Sequence, residues 1–277
     1  MLRSLIVGVN GSRWSTAACE IAVAWAAELH IPLTCLGVVD LPGLIRLQPV
    51  PLGIGDTASA FDPGLVTAEE ERIKAALQDA SRKAEQAGIA CRLITREGSP
   101  AELLGEEAQR HDLLILGRRS DPETGTGCAP SEMLVDILRH APRPIILASN
   151  EIPKSSHVVI AYDGSAQSAR TLQAFVTSGL YHGHPLHLVA VGNEPERMSQ
   201  IVSRAADFLA AHCLRAEVHV LPIASSVSQT LVDFCHDIPA GLVVIGAYGK
   251  PWYKELLFGS VTKSVLAQLP VPMFLNH

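Results

Sequence analysis

Short apolar runs alternate along the chain with longer stretches whose apolar residues recur every three or four positions. The runs have the length of strands, and the stretches have the period of helices that bury one face. The first run is Leu5–Val9. A helix follows with Ala17, Ile21, Ala22, Trp25 and Leu29 on one side and Ser15 placed as an N-cap. Leu33–Val39 reads as the second strand. Asp40–Val66 is rich in Pro and Gly, has no period and reads as a long loop. Thr67 and Glu70 have capping-box spacing before a helix carrying Ile73, Ala76, Leu77, Ala80 and Ala84, which stops at Gly88. The third strand is Ile89–Thr95. Ser99-Pro100 then opens a helix to about His111, with Ser99 as cap and Pro100 at the first helical position. Leu113–Leu116, a helix over Ser131–Ala141 and a strand over Ile145–Ala148 complete this series.

The same order recurs after a linker at Glu151–Ser155. It comprises strand Val158–Ala161, helix Ala166–Leu180, strand Leu186–Val191, helix Glu196–His212, strand Ala216–Pro222, helix Ser226–His236, a strand ending at Gly246, a last helix, and strand Met273–Leu275. Asn10 aligns with Asp163, Gly117 with Gly246, and Pro142 with Pro270. The offset falls between the first pair and the second, so the first copy carries extra residues before its fourth strand, most naturally in the 40–66 loop. The pattern predicts two tandem doubly wound α/β domains, each with a five-stranded parallel sheet of Rossmann type, over residues 1–150 and 156–277.

Candidate chemistry gathers near the end. The run Leu242–Ile245 leads into Gly246-Ala247-Tyr248-Gly249, and nine residues later comes Gly259-Ser260-Val261-Thr262, opening a helix with Val265, Leu266 and Leu269. Strand, glycine loop and helix in this order offer free N–H groups to a phosphate beyond the carboxyl end of a strand. Gly246 would turn the chain off the strand, Gly249 would admit close backbone approach, and the Ser260 and Thr262 hydroxyls would add bonds. An ordinary turn with Ser260 as N-cap fits the local residues equally well.

Composition narrows the setting. Hydrophobic residues make up 48% of the 277 and charged residues 18%, so the chain can bury sizeable cores. The net charge of -6 comes without any basic block, which argues against a nucleic-acid partner. No apolar run reaches a membrane span, and Met1–Val9 is too short for a signal-peptide core. The six cysteines form no C-x-x-C pair and read mostly as buried free thiols, which points to a cytoplasmic setting.

The spacing G-x2-G-x9-G-S is similar to the nucleotide-binding motif of the universal stress protein family, and each half resembles one such domain. The resemblance implies an α/β domain that binds ATP, or a form that does not, and twofold pairing of domains through their last strands. A tandem chain would then be an intramolecular pseudo-dimer. Carried over by position, Asp163 would meet ribose or base, Val191 would offer backbone groups to adenine, and Gly246, Gly249, Gly259, Ser260, Val261 and Thr262 would hold phosphates, with or without Mg²⁺. On local grounds Asp163 and Ser165 serve equally as the cap of the helix after them. Lys250 and Lys254, within the nine-residue segment, would supply positive charge to the ligand or serve as solvated loop lysines.

The first half departs from the motif. Asn10 replaces the aspartate, Ser120 stands where Gly249 would be, and neither way of counting restores Gly-Ser at Pro130-Ser131-Glu132. That half reads as a degenerate domain, a surface for a protein partner or a pocket for another ligand. Gly125-Thr126-Gly127 is a phosphate nest of the wrong spacing, and Cys128 has no histidine at metal-ligand spacing. Three functions follow: a regulatory stress-response protein binding an adenine nucleotide in the second half, an ATP-cleaving enzyme of the same fold, and a dimerising scaffold. The chain has no S-G-G-x-D-S loop, no H-x-G-H signature and no evident base beside the glycine loop, so any hydrolysis is expected to be slow.

Overall fold

A computed structural model describes residues 1–41, 43, 63–118, 132–149, 155–246 and 260–276. In the first half the order is β1 (Leu5–Val9), α1 (Arg13–Leu29), β2 (Leu33–Val39), α2 (Pro63–Gln86), β3 (Cys91–Glu97), α3 (Pro100–Ala108), β4 (Leu113–Gly117), α4 (Glu132–His140) and β5 (Ile145–Ala148). In the second it is β6 (His157–Ala161), α5 (Ala166–Ser178), β7 (Leu186–Val191), α6 (Pro195–Ala211), β8 (Ala216–Leu221), α7 (Val227–Asp237), β9 (Ala240–Gly246), α8 (Ser260–Gln268) and β10 (Met273–Asn276). The central strands are apolar on both faces because helices cover both; β2 is buried at all seven positions.

Local chemistry moves several expected boundaries. Ser12, not Ser15, caps α1: its hydroxyl accepts the Ser15 N–H, while the Ser15 hydroxyl accepts the Asn10 N–H at 3.1 Å. Thr67 lies inside α2, which already starts at Pro63 with its preset φ, so the expected capping box is not the start of this helix. β3 begins two residues late because the Ile89 N–H still closes the end of α2 on the Ala84 carbonyl at 3.0 Å. Ser99 occupies the cap position of α3 without a side-chain bond. α5 ends at Ser178, where Gly179 takes the left-handed conformation. The predicted loop at 40–66 ends early, since residues 63–66 already belong to α2; residues 44–62 and the glycine nest at 125–127 lie outside the described residues.

The strands form one ten-stranded sheet, in the order β3-β2-β1-β4-β5-β10-β9-β6-β7-β8. Every neighbouring pair is parallel except β5 and β10, which run antiparallel with Met273 opposite Leu147, Phe274 opposite Ile146 and Leu275 opposite Ile145. Under the sequence repeat Ile146 and Phe274 are equivalent, so the register is symmetric about that pair. Two apolar cores lie on the two faces of the sheet, and each draws residues from both halves. One joins Val7, Ile115 and Ile146 to Phe175, Leu188 and Phe274. The Arg118 guanidinium, carried just past β4, donates to the carbonyls of Leu266, Leu269 and Val271 and so closes the C-terminal end of α8 from the other half. Among the described residues no helix is long and apolar enough to cross a membrane.

Candidate functional site

Within the second half the strand order is β10-β9-β6-β7-β8. From β6 the chain winds toward β8, and from β9 it winds the other way toward β5. β6 and β9 therefore flank the point where the winding reverses, and an open α/β sheet has its crevice beyond the carboxyl ends of such strands.

The loop leaving β6 borders this crevice. Asp163 Oδ1 accepts the Ser165 N–H at 2.9 Å, Gly164 turns the chain at φ +77, and the Ser165 hydroxyl accepts the Ser168 N–H at 3.1 Å. Ser165 is thus the cap of α5, and Asp163 holds the turn ahead of it with an exposed carboxylate. Partial desolvation pushes that carboxyl's pKa up, but hydrogen bonding from Ser165 outweighs it and keeps the group below the usual carboxylate value. A concavity of about 490 Å³ opens beside it, lined by Asp163, Gly164, Ser165, Arg197, Gln200, Ile201 and Arg204. The last four come from α6 at spacings of three, four and seven, which set them on one stripe of the helix. The sequence reading missed these arginines, although that spacing was visible in it.

Val191 ends β7 at the same edge of the sheet, half-buried and paired with Leu221. Gly246 ends β9. It does not take the left-handed conformation expected of a turn glycine. A Cβ there would stand 3.2 Å from Gln167 Cγ and 3.4 Å from the Ser168 N, so its role is to let β9 lie against the first turn of α5. Gly117 has the same role against Trp14 and Ser15.

α8 begins at Ser260. Val261 is partly buried against the core, leaving its backbone as what it can offer a ligand. Thr262 is buried, and its hydroxyl donates to the Gly246 carbonyl at 3.3 Å. That proton was expected to reach a phosphate; instead it joins the start of α8 to the end of β9. Asp163, Val191, Gly246 and the first turn of α8 are therefore gathered at one edge of the sheet. Gly249, Gly259, Lys250 and Lys254 lie outside the described residues.

The first half keeps the turn and changes its surroundings. Asn10 Oδ1 accepts the Ser12 N–H at 3.1 Å and the Ser12 hydroxyl at 2.8 Å, the same turn without a charge. Over Gly164 sits Ile201, but over Gly11 sits Arg72, whose guanidinium is paired with Glu69 at 2.5 Å. Free thiols occur at Cys19, Cys35, Cys91, Cys213 and Cys235. Cys213 is exposed, unlike the buried majority, and Cys128 lies outside the described residues.

The sequence profile of the Universal stress protein family matches residues 1–148 and again residues 154–275. Universal stress protein Slr1230 of Synechocystis sp. is 24% identical, over 98% of this chain and 99% of its own length. Universal stress protein Rv2623 of Mycobacterium tuberculosis is 26% identical, over 96% and 94%. Among solved structures, a universal stress protein from Archaeoglobus fulgidus superposes with a TM-score of 0.75 at 17% identity, covering 98% of this chain and 97% of that one. With the family profile spanning it twice, the chain belongs to the universal stress protein family.

Proposed function

We propose that the second half binds an adenine nucleotide, ATP with Mg²⁺, as a cytoplasmic regulatory protein of the stress response. The observation that carries this reading is the convergence of the Asp163 turn, the end of β7 and the joined β9–α8 corner at the winding reversal between β6 and β9. Asp163 faces the ribose or base, and Val191 offers its backbone to adenine. Gly246, Gly249, Gly259, Ser260 and Val261 surround the phosphates with N–H groups at the start of α8. Thr262 acts indirectly, by holding α8 onto β9. Arg197 and Arg204 extend the site with positive charge along α6.

The two halves, residues 1–150 and 156–277, act as an intramolecular pseudo-dimer joined through β5 and β10. The first half takes no nucleotide, because it lacks the motif and holds Arg72 over its turn. Among the described residues around the crevice no base stands poised to activate water, and we expect hydrolysis to be slow or absent. Calorimetric titration of the full chain with ATP and Mg²⁺ tests the reading. One equivalent bound per chain, with turnover below about one per second, is the expected result. No binding would leave a nucleotide-free scaffold, two equal sites would remove the asymmetry, and rapid turnover would make the protein an enzyme.

A further inference from the structure

At the opposite end of the sheet from the nucleotide crevice, where the strands of the second half begin, four polar side chains share one face. His157 opens β6, His187 is the second residue of β7, and Glu217 and His219 lie two apart on β8. The register sets His187 beside Glu217, and Val189 beside His219. Among the described residues no other trio of His, Cys, Asp and Glu brings ligand atoms this close.

The triangle they form has the size of a coordination shell. His187 Nδ1 lies 3.2 Å from His219 Nε2 and 3.5 Å from Glu217 Oε2, and His219 Nε2 lies 3.7 Å from Glu217 Oε1. Metal–ligand bonds of about 2.0–2.1 Å in a tetrahedron put neighbouring ligand atoms roughly 3.3–3.4 Å apart. The other ring nitrogen of His187 is 2.8 Å from His157 Nδ1. A histidine bound to metal through one nitrogen needs such a partner on the other, to fix its tautomer and ring plane. Phe234 of α7 packs against both imidazoles, with ring centroids 4.7 Å from His219 and 6.4 Å from His187, while the Glu217 side chain reaches solvent.

We propose that His187, Glu217 and His219 bind one divalent transition ion of the zinc class, with His157 as the partner that orients His187. Two imidazoles and a carboxylate suit zinc and its neighbours better than magnesium or calcium. With three protein ligands, the fourth position of a tetrahedral ion would be left to water. The ion would tie edge strand β8 to β7 at a distance from the nucleotide site, so the two sites are independent.

The test is titration of the chelator-stripped, nucleotide-free full chain with Zn²⁺ against a competing indicator, and with Co²⁺ read by visible absorption. One equivalent should bind, the Co²⁺ form should show the strong visible bands of a tetrahedral site, and Zn²⁺ should raise the Tm. His157→Ala should weaken Zn²⁺ about 10–100-fold. His219→Gln should abolish the site. Glu217→Gln, at an exposed position where folding is not at risk, should weaken it and alter the Co²⁺ spectrum. Absence of binding by the parent chain overturns the proposal, and so does binding that the Glu217 and His219 variants leave unchanged.

Discussion

Under the proposed nucleotide reading, Ser260 is the position where one substitution should bear most on affinity. It stands in the first turn of α8, whose N–H groups have no partners within the helix. Counting back from Pro142, which aligns with Pro270, the first half has Glu132 at this position. A carboxylate in that turn satisfies the free N–H groups itself and favours the helix. It also repels phosphate: two unit charges about 4 Å apart cost roughly 4 kcal/mol at an effective dielectric near 20. Ser260→Glu should therefore lower ATP affinity about a thousandfold while circular dichroism stays unchanged. Ser260→Ala should lose only one hydrogen bond, about 0.5–3 kcal/mol. Parent-like affinity in Ser260→Glu would move the phosphates away from this helix.

At the scale of elements, the central strands were legible because they are apolar runs buried from both faces, the edge strands β3 and β8 being more exposed, and most strands lie within two residues of where the pattern puts them. Boundaries set by hydrogen bonds were less so. Nothing in Ile89 itself signals that its N–H finishes α2, and the capping-box spacing of Thr67 and Glu70 is overridden by Pro63 upstream. The histidine–glutamate cluster escaped for a different reason: its members sit on three strands at positions 157, 187 and 217–219, and strand register alone brings them together. The contact of α1 with α2 shows a further tie of this kind. Lys83 Nζ of α2 lies 2.8 Å from Glu20 Oε1 of α1 and 3.1 Å from Asp79 Oδ2. The hydrogen bond from Lys83 holds the Asp79 carboxyl below its ordinary pKa. Desolvation pushes the Lys83 pKa down, but bonds to Glu20 and Asp79 raise it overall. A depressed carboxyl pKa means the unfolded chain binds the proton more readily, so Asp79's contribution is full above the unfolded value near 3.9 and fades as pH falls through the folded one. A raised lysine pKa preserves the other side of the pair until strongly alkaline pH. Lys83→Met should therefore cost about 0.2–1 kcal/mol in urea unfolding at pH 7, and the gap should narrow as pH falls below about 3.9. A gap that stays the same size as pH falls through that range would assign the loss to packing instead.

For the whole molecule, the antiparallel β5–β10 ladder makes one sheet of two repeats, and its consequence is cooperativity. Phe274 pairs with Ile146, is fully buried, and meets Phe175 edge to face at 5.6 Å between centroids. Both cores pass through this junction, and Arg118 reaches from one half to the carbonyls that end α8 in the other. Loss of packing in the second half should therefore be felt in the first. Removing the ring in Phe274→Ala deletes a buried aromatic, at a cost of about 3–5 kcal/mol. The chain has tryptophans at positions 14, 25 and 252, and Trp14 and Trp25 both lie on α1. Trp25 lines a cleft shared with Val158, Leu180 and Leu242 of the second half, so in a Trp25→Phe, Trp252→Phe background the fluorescence of Trp14 reports the first half, while circular dichroism reports both. If the sheet unfolds as one unit, Phe274→Ala should shift the fluorescence and dichroism transitions in urea together to lower concentration. If the halves unfold separately, the fluorescence transition should stay where it was while dichroism splits into two steps. The symmetric register and the continuous cores predict the coincident shift, because the lost ring sits against β5 as much as within β10.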